Sequence, residues 1–559
     1  VLTDRFRNGD TSNDHSYGRE CPQGAYNSTT QVVNTSGCYS GYEKREGNFR
    51  GGDLKGMLEK INAGYFTDLG VNAIWLSVPL EQIHGFVGGE NFKHYPYHGY
   101  YILDFTKIDA NMGDEALMKQ VIDAAHSKGI RVVFDVVMNH VGYDDMQTAA
   151  EYGFAGLNSN WASYYYTSNA SGIHYTSYGT YLNYADSNWS KWWGTEWVRS
   201  KAYSTCTGGD EITRCLDDLP DLKLESSATV GLPPVLVTKW TREGRLATEQ
   251  ASLDAFFQKS GLPRTPANYV IKWLTDWVRN YGVDGFRCDT AKHVPLSVWK
   301  ELKNQSNIAL KEWQAKPGVI KPDDQDLAFW MTGESWGHGV GRSSYYDNGF
   351  DSMINFNFQT AATSLTSAEG IYSSYNSLQH GSTRFQALSY LSSHDTAIYN
   401  RSNLVDGGSL LLMVPGQAQI FYGDESARPK DDFGTHWNEP TRGFMNWCDG
   451  TLGSDVSVCT NKSVLAHWQK LGQFRNKHRA VGAGQHAKIA DTPYTFSRVQ
   501  GSDKVVVAFG ASGAQTISVG SIFADGTTVR DFYTGSTATV SGGKVSLTAG
   551  GVVLLEAAN

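Results

Sequence analysis

Carboxylates follow directly after several short apolar runs of the 559-residue sequence. Asp289 follows the run Val283–Cys288, Glu334 comes soon after another run, and Asp395 comes soon after a third. A carboxylate is costly in a folded core unless it is paired, so this repetition is informative. Two carboxyl groups with different pKa values are what hydrolysis of a glycosidic bond requires, one as nucleophile or base and one as proton donor.

Neighbouring residues suggest different roles for two of these carboxylates. Arg287 lies two residues before Asp289, so both side chains point to one face of a strand, and the positive charge favours an ionised Asp289 as candidate nucleophile. Glu334 has no adjacent cation and is flanked by Trp330 and Trp336. Because apolar surroundings raise the pKa of a carboxyl group, Glu334 is the candidate general acid/base. Structural ion pairs and caps are the alternative for any single carboxylate, but they account poorly for the whole set.

The elements that must position these residues are alternating strands and helices over residues 1–483. Strands are predicted at Val71–Pro79, Ile130–Met138, Val283–Cys288, Leu327–Thr332, Ser352–Phe358, Ala387–Leu391 and Ala418–Tyr422, and helices at Leu54–Leu69, Leu117–Lys128, Ala267–Tyr281, Leu296–Gln314 and Lys462–Lys477. Continuously apolar strands in such units indicate a parallel sheet covered by helices. With one strand at the start of the chain, the count of about eight favours an α/β fold of the (β/α)8 (TIM) barrel type, which carries its chemistry at the C-terminal strand ends.

Two regions interrupt this alternation. Residues 141–263 are rich in Tyr, Asn, Ser and Gly without a repeated βα pattern, which predicts a loop domain inserted after the third strand. From residue 484 onward, alternating segments between Gly-rich turns are typical of a small antiparallel β-sandwich. The predicted organisation is a barrel of residues 1–140 and 264–483, an inserted domain of residues 141–263 and a C-terminal β domain of residues 484–559.

Composition narrows the partners and the compartment. The formal net charge of −9 argues against a nucleic-acid groove, and no apolar run approaches the roughly 20 residues that a membrane span requires. Six of the seven cysteines form close pairs in polar stretches, which indicates disulfides of an oxidised compartment: Cys21–Cys38, Cys206–Cys215 and Cys448–Cys459. Cys288 is left over in an apolar run as a buried free thiol. We expect a periplasmic or secreted monomer whose leader has been removed before Val1.

Four blocks of the sequence resemble those of the α-amylase family (glycoside hydrolase family 13), in that family's order and on the predicted strands: Asp135-Val-Val-Met-Asn139-His140, Gly285-Phe-Arg287-Cys-Asp289-Thr-Ala-Lys292-His293, Gly333-Glu334-Ser-Trp336 and Ser393-His394-Asp395. A fifth block, Leu219-Pro220-Asp221-Leu222, resembles one in the family's inserted domain. Shorter segments at residues 4–10, 81–85 and 391–395 resemble the periplasmic α-amylases of Gram-negative bacteria.

The resemblance implies retaining endo-hydrolysis of α-1,4-glucosidic bonds in starch and maltodextrins through a covalent glycosyl-enzyme. It makes Asp289 the nucleophile, Glu334 the general acid/base and Asp395 the third carboxylate, which binds the sugar at the cleavage subsite. The substrate-binding residues that it implies are His98, Tyr100 (as stacking platform), His140, Arg287, His394 and, on the leaving-group side, Lys292 and His293.

The resemblance also implies one or two calcium ions. Asn139, Asp221 and the carbonyl of His293 match three ligands of the family's calcium, which ties the inserted domain to the barrel. A second cluster resembles a calcium loop of cyclodextrin glucanotransferases and some bacterial amylases, and it consists of Asn8, Asp10, Asn13, Asp14, Gly51 and Asp53. Oxygen ligands suit calcium, and a plain Asn/Asp/Gly surface turn is the alternative.

Three other functions fit parts of the sequence. The glucanotransferase-like calcium loop leaves an α-glucan transglycosylase open. Gly333–Gly337 fits G-x-S-x-G, the nucleophile elbow of serine hydrolases with Ser335 as nucleophile, although the residues that follow are a poor helix start. A non-catalytic carbohydrate-binding homologue is the third alternative, which the presence of all three carboxylates disfavours.

Overall fold

Seven parallel strands form the sheet at the centre of the computed structural model, which describes residues 1–38, 47–89, 92–166, 175–380, 386–431, 439–451 and 458–558. Each strand pairs with the next along the chain: Ala73–Leu76 (β1), Arg131–Val136 (β2), Gly285–Cys288 (β3), Trp330–Gly333 (β4), Ser352–Asn355 (β5), Gln386–Tyr390 (β6) and Gln417–Gln419 (β7). Val1 lies beside β1, because its carbonyl accepts from Ser77 and its amino group donates to the carbonyl of Trp75. The predicted (β/α)8 barrel is therefore confirmed, with the start of the chain in the place of its first strand.

The register of this sheet brings the strand ends to one rim. Cys288 pairs with Val136 on one side and with Gly333 on the other. The residues that follow β2, β3 and β4 therefore leave the sheet at the same level. Most of the predicted strands are longer than the observed ones, because buried residues such as Val78 and Val137 continue past the last ladder hydrogen bond; the strand predicted at Ala387–Leu391 is observed one residue earlier, at Gln386–Tyr390.

Helices cover the outside of the sheet and begin at polar caps. Asp53 and Asp114 accept from backbone N–H groups in the first turns of the helices Leu54–Asn62 and Glu115–His126. The helices outside the inserted region are Leu54–Asn62 (α1), Tyr65–Asp68 (α2), Glu115–His126 (α3), Pro266–Tyr281 (α8), Leu296–Gln314 (α9), Phe358–Ala361 (α10), Ala368–Gln379 (α11), Leu404–Leu412 (α12), Lys462–Lys477 (α13) and Arg479–Ala483 (α14). The single helix predicted over Leu54–Leu69 is two helices, since Gly64 between them has a φ of +83°.

Between β2 and α8 the chain leaves the barrel. It forms Met146–Tyr152 (α4), Trp161–Tyr166 (α5), Pro234–Arg242 (α6) and Leu246–Ser260 (α7), with two short strand pairs, Gly156–Leu157 with Leu182–Asn183 and Val198–Arg199 with Asp221–Leu222. Trp189, Trp192 and Trp193 are buried here and form part of the core. The boundaries at residues 140/141, 263/264 and 483/484 stay a prediction.

The C-terminal strands form one six-stranded antiparallel sheet. They are Gln485–Asp491 (β8), Tyr494–Gln500 (β9), Asp503–Ser518 (β10), Thr528–Asp531 (β11), Thr537–Thr539 (β12) and Lys544–Ala557 (β13), in the order β8-β9-β10-β13-β11-β12. Successive residues of β10 point to opposite faces, so Val505 and Val507 pack towards the barrel helices while Val506 and Ala508 pack on the other face.

Three disulfides join the predicted pairs Cys21–Cys38, Cys206–Cys215 and Cys448–Cys459, and Cys288 is a buried free thiol. None of the helices in the described part of the chain combines the length and apolar character that crossing a bilayer requires.

Candidate active site

Arg287 joins two carboxylates at the carboxyl end of the barrel sheet. The register of β2 and β3 places Arg287 opposite Asp135. Nη1 of Arg287 donates to Oδ1 of Asp289 at 2.6 Å and to both carboxylate oxygens of Asp135 at 3.1 and 3.3 Å. The spacing of two residues thus brings Arg287 and Asp289 together as predicted, and all three side chains are buried.

A chain of hydrogen bonds continues from Asp135 to the third predicted carboxylate. The hydroxyl of Tyr100 donates to Oδ2 of Asp135 at 3.1 Å and lies 2.7 Å from Nε2 of His394. That nitrogen also lies 2.9 Å from Oδ2 of Asp395. Trp75 donates its indole N–H to Asp135 at 3.1 Å. The ends of β3 and β6 are therefore linked through side chains that meet inside the barrel rim.

Two more of the predicted substrate-binding residues lie against Tyr100. The ring of His98 stacks on that of Tyr100 with centroids 5.3 Å apart, and its Nδ1 accepts from the backbone N–H of Tyr100 at 3.0 Å. Nε2 of His140 donates to the carbonyl of Tyr100 at 3.1 Å. Burial lowers the pKa of both imidazoles, so both rings are neutral at pH 7.

Glu334 follows β4 and points to the same rim. Its backbone N–H donates to the carbonyl of Cys288 at 2.9 Å, and its Oε2 accepts from the backbone N–H of Thr290 at 2.9 Å. Trp336 is 59% exposed and packs on Phe356 at a centroid distance of 5.2 Å. The burial of Glu334 therefore comes from the barrel rim rather than from Trp336.

The electrostatic environment gives Glu334 an unusual affinity for its proton. Burial raises the pKa of Glu334 to about 7; the charge of Arg287 opposes this shift, and those of Asp289 and Asp395 add to it. A group that gives and then takes a proton works best when its pKa lies near the operating pH. Glu334 therefore has the properties of a general acid/base at neutral pH.

A second arginine, which no motif of the sequence indicated, holds Asp395. Nη2 of Arg442 donates to Oδ1 of Asp395 at 3.0 Å, and its Nε donates to the carbonyl of His394 at 3.1 Å. The hydroxyl of Thr441 donates to the same carbonyl at 2.8 Å. Burial opposes the charge of Asp395, but His394 and Arg442 outweigh it and hold the pKa of this carboxyl well below its usual range.

Lys292 and His293 contact the loop of residues 206–215, which a disulfide closes, and do not join the hydrogen bonds that link Asp135 to Asp395 in the described contacts. Nδ1 of His293 donates to the carbonyl of Glu211 at 2.7 Å and lies 3.2 Å from its Oε2. Nζ of Lys292 lies 3.6 Å from the same carboxylate oxygen. The structure therefore separates these two predicted residues from the other five and places them against the inserted region.

Asn139, Asp221 and the carbonyl of His293 converge where the inserted region meets the barrel. One terminal atom of the Asn139 amide lies 3.1 Å from the carbonyl oxygen of His293 and 3.1 Å from Oδ1 of Asp221, and the amide donates to both when its nitrogen points there. Asp221 is held there by a backbone bridge to His140 and by Nη1 of Arg199 at 2.7 Å. Oxygens at this spacing repel one another unless the amide turns to donate or a cation lies between them. The donor set, one carboxylate and two neutral oxygens, fits calcium.

The second predicted cluster is assembled around the start of α1. Asp53 accepts from the backbone N–H of Gly56 at 2.7 Å, of Asp10 at 2.8 Å and of Gly9 at 3.1 Å. Nδ2 of Asn13 lies 3.5 Å from Asp53, while its Oδ1 is buried and has no hydrogen-bond partner among the described residues. A buried oxygen of this kind beside a carboxylate fits a cation, although capping alone also accounts for Asp53.

The remaining residues of this cluster lie side by side. Nδ2 of Asn8 donates to Oδ1 of Asp14 at 2.8 Å. A Cβ atom at Gly51, where φ is +84°, would lie 2.2 and 2.6 Å from those two side-chain atoms. The six predicted residues are therefore close neighbours, and Gly51 leaves room for the polar groups to approach its backbone.

The serine elbow is not formed at Ser335. The residues after it make a turn and irregular backbone instead of a helix, and the polar neighbour of its hydroxyl is that of Tyr345 at 3.5 Å. His338 bonds to the carbonyl of Gly339 and to Ser343. Because a nucleophile elbow requires a helix after the serine and a histidine base beside it, the geometry contradicts this alternative.

Comparison with known proteins gives this arrangement its family. Residues 1–202 match the family model described as "Alpha amylase, catalytic domain". The chain is 42% identical over 527 residues to the periplasmic α-amylase of Escherichia coli (strain K12), covering 91% of this chain and 71% of that protein. The chain belongs to the α-amylase family.

Other members of the α-amylase family are more distant. A cyclomaltodextrin glucanotransferase of Geobacillus stearothermophilus is 24% identical, with 94% of this chain and 60% of that protein covered. A solved α-amylase of Geobacillus thermoleovorans, complexed with acarbose, covers 100% of this chain and 97% of its own with a TM-score of 0.61 at 18% identity, which shows the fold. The protein is a glycoside hydrolase of the α-amylase type, and the strand-end carboxylates lie where a barrel enzyme of this family carries its chemistry.

Proposed function

We propose that this protein cleaves internal α-1,4-glucosidic bonds of starch and maltodextrins with retention of the anomeric configuration. The observation that carries the proposal is a pair of carboxyl groups in different environments. Asp289 is ion-paired with Arg287 at 2.6 Å, while burial raises the pKa of Glu334 to about 7. One group is suited to attack as a carboxylate and the other to carry a proton.

The reaction follows from these two roles. Asp289 attacks the anomeric carbon while Glu334 gives its proton to the glycosidic oxygen, so the bond to the leaving chain breaks and an ester to Asp289 forms. Glu334, now a carboxylate, takes a proton from water, whose oxygen attacks the same carbon and releases Asp289. The second step restores both carboxyl groups, and the two inversions retain the configuration.

The hydrogen-bonded residues between Asp135 and Asp395 serve the sugar at the cleavage point. Asp395 accepts from its hydroxyl groups, the ring of Tyr100 stacks on it, and Arg287, His140 and His394 lie around it. His98 supports Tyr100 from the opposite side. Lys292 and His293 face the leaving chain. The fixed positions of these groups, and not their number, are what lower the barrier.

We also propose that the protein holds one or two calcium ions. Asn139, Asp221 and the carbonyl of His293 hold the first, and Asn8, Asp10, Asn13, Asp14, Gly51 and Asp53 form the candidate second site. Calcium at the first site supplies positive charge that ties the inserted region to the barrel. We expect chelation with EDTA to lower the melting temperature and added calcium to restore it; an Asp221→Asn variant already lower in melting temperature should respond less. An unchanged melting temperature on chelation would contradict the first site.

An exported location and a glucan substrate complete the proposal. Three disulfides and a periplasmic relative support a periplasmic or secreted protein. A relative that is a cyclomaltodextrin glucanotransferase supports transglycosylation as the second candidate. Chromatography of early products from a long maltodextrin separates the two, since cyclic or elongated products would favour transfer.

The decisive experiment replaces each carboxylate in turn. Asp289→Asn and Glu334→Gln should each lower kcat on maltodextrin by at least about 10³-fold. Asp254→Asn is the matched control, because Asp254 is exposed on α7 and pairs there with Arg264. Proton NMR of the first products should show the α-anomer. The β-anomer, or an active Asp289→Asn variant, would overturn the mechanism.

A further inference from the structure

We propose that Glu211 is a positioning residue for the acceptor side of the site, and that it sets how well a sugar competes with water for the glycosyl group. This inference rests on the proposed function, because it assumes that Lys292 and His293 face the leaving chain. The carboxylate of Glu211 lies 3.6 Å from Nζ of Lys292 and 3.2 Å from Nδ1 of His293. Lys292 and His293 are predicted on the leaving-group side, which is also where an acceptor sugar binds, and both contact the side chain of Glu211.

The loop that carries Glu211 is held in shape on its own. The disulfide Cys206–Cys215 closes it with a sequence separation of 9. Within it, Oδ1 of Asp210 accepts from the backbone N–H groups of Ile212 at 2.8 Å and Thr213 at 2.9 Å. Glu211 therefore lies on a turn that hydrogen bonds and a disulfide hold in place, and its carboxylate also pairs with Arg214 of the same loop at 3.1 Å.

Glu211 contacts His293 twice, once through its backbone carbonyl and once through its carboxylate, so the two contacts can be tested separately. The carbonyl of Glu211 accepts from Nδ1 of His293 at 2.7 Å, and the carboxylate approaches the same nitrogen. A change of the side chain alone leaves the carbonyl contact in place. Any effect of such a change therefore reports on the carboxylate and on its second partner, Lys292.

One side chain, Tyr345, lies within electrostatic range of both Glu211 and Glu334. Tyr345, whose hydroxyl lies 3.5 Å from that of Ser335, is close enough to both acids that burial and the charges of Glu334 and Glu211 together raise its pKa. Tyr345 is therefore a neighbour both of the loop that carries Glu211 and of the residues that follow β4.

The consequence for the reaction is a choice between acceptors. Lys292 is one-third exposed, and its ammonium group can reach many positions on a flexible stem. An ion pair with Glu211 restricts that motion, so less entropy is lost when the ammonium group binds the hydroxyls of an incoming sugar. Water needs no such binding. Glu211 should therefore favour transfer to a sugar over hydrolysis without taking part in bond breaking.

The test measures how the glycosyl group is divided between transfer to a sugar and hydrolysis by water, instead of the total rate of bond cleavage. With maltotetraose at high concentration, Glu211→Gln should lower the ratio of transglycosylation to hydrolysis by about 2- to 10-fold, while kcat for hydrolysis of long maltodextrin changes less than 2-fold. Glu196→Gln is the matched control, since Glu196 is an exposed glutamate of the same inserted region outside these contacts. A ratio unchanged in Glu211→Gln would overturn the inference.

A double-mutant cycle identifies the path of the effect. If Glu211 acts through Lys292, Glu211→Gln should change the ratio little in a Lys292→Met background. An equal change in both backgrounds would overturn the positioning role. Glu211→Asp, which keeps the charge on a shorter stem, should recover part of the ratio. Failure of the proposed function would look different, because wild-type protein would then not cleave maltotetraose at all.

Discussion

Two arginine–aspartate pairs hold the two ends of the candidate site, and they are built in different ways. Arg287 and Asp289 lie two residues apart at the end of β3, so the alternation of one strand brings them together. Arg442 and Asp395 are separated by 47 residues and meet only because a later segment packs over the rim. A local pattern specifies the first pair, and tertiary packing creates the second.

The segment that brings Arg442 is fixed at several points. The hydroxyl of Tyr422 donates to the carbonyl of Gly443 at 2.8 Å, and Nη2 of Arg428 donates to the carbonyl of Thr441 at 3.0 Å. Further along, the backbone N–H of Met445 donates to the carbonyl of Arg5 at 3.0 Å. The orientation of Asp395 therefore depends on contacts with the start of the chain.

The two arginines also differ in the number of carboxylates that each one neutralises. Arg287 neutralises two buried carboxylates, Asp135 and Asp289, whereas among the described contacts Arg442 pairs with one carboxylate, that of Asp395, and donates to the carbonyl of His394 and the hydroxyl of Tyr97. Because breaking a buried ion pair leaves an uncompensated charge, the cost of losing an arginine grows with the number of carboxylates it serves. The comparison therefore predicts a larger loss at Arg287.

Arg287→Gln should be the most damaging of the single changes to these arginines. Two buried carboxylates lose their cation, so we expect kcat/KM on maltodextrin to fall by at least about 10²-fold and the free energy of unfolding by about 3–5 kcal/mol. Steady-state kinetics and thermal denaturation measure the two effects. Arg279→Gln, on the outside of α8, is the control, and near-normal activity in Arg287→Gln would refute the shared role.

Arg442→Gln should cost less, with kcat reduced by about 10- to 100-fold and KM changed little. Arg442→Lys keeps the charge but loses the forked geometry, so it should recover only part of kcat. Arg264→Gln removes an arginine that pairs with the exposed Asp254 far from these carboxylates in sequence and contact, and should leave kcat within about 2-fold. If Arg442→Gln were as inactive as Arg287→Gln, the two pairs would not differ as argued.

The pH dependence of activity tests how the charge of Asp395 affects Glu334. Glu334 must carry a proton when the bond breaks, so kcat/KM should fall as pH rises through about 7. The charge of Asp395 raises the pKa of Glu334, and removing that charge lowers it. In Asp395→Asn the alkaline limb of the residual activity should therefore move to lower pH by about one unit or less. A shift to higher pH would contradict this electrostatic coupling.

The difference between local pairs and pairs made by tertiary packing also explains which features the sequence predicts. The strand-end carboxylates, Arg287 and the three disulfides were predictable because they follow from strand alternation, apolar runs and close cysteine pairs. Helices Leu296–Gln314 and Lys462–Lys477 were predicted to the residue because their polar and apolar faces alternate with helical spacing up to both ends. These features are all local along the chain.

The contacts that the sequence did not predict are all non-local. Arg442 reaches Asp395 from another segment, Glu211 meets Lys292 from the inserted region, and Trp75 reaches Asp135 from a neighbouring strand. No spacing rule connects such residues, because their distance depends on how separate segments pack. Trp336 shows the converse, since a residue near Glu334 in sequence is 59% exposed and does not enclose it.

A buried ion-pair network lies next to the segment that holds the backbone of Tyr101, the neighbour of Tyr100 in sequence. The backbone of Tyr101 is held by Gln82 at 2.7 Å and by Ile83 at 2.9 Å, and the next residue, His84, lies 2.6 Å from Glu151 and 3.0 Å from Glu81. Lys239 pairs with Glu81 at 2.7 Å, and the ring of Tyr17 stacks on His84. Burial alone would lower the pKa of His84, but the two carboxylates raise it to about 9.

His84→Gln should therefore produce the smallest and most pH-dependent of these effects. A histidine with a raised pKa stabilises the fold fully below its unfolded value of 6.5, and the contribution is lost as pH rises through about 9. We expect the variant to lose about 1–3 kcal/mol of unfolding free energy at pH 6, and much less at pH 10. Melting temperatures of both proteins from pH 6 to 10 test this, with His15→Gln as the control because His15 bonds only to a backbone carbonyl in the described contacts. A difference in melting temperature between wild type and variant that stays constant with pH would show that His84 stabilises the fold by packing alone.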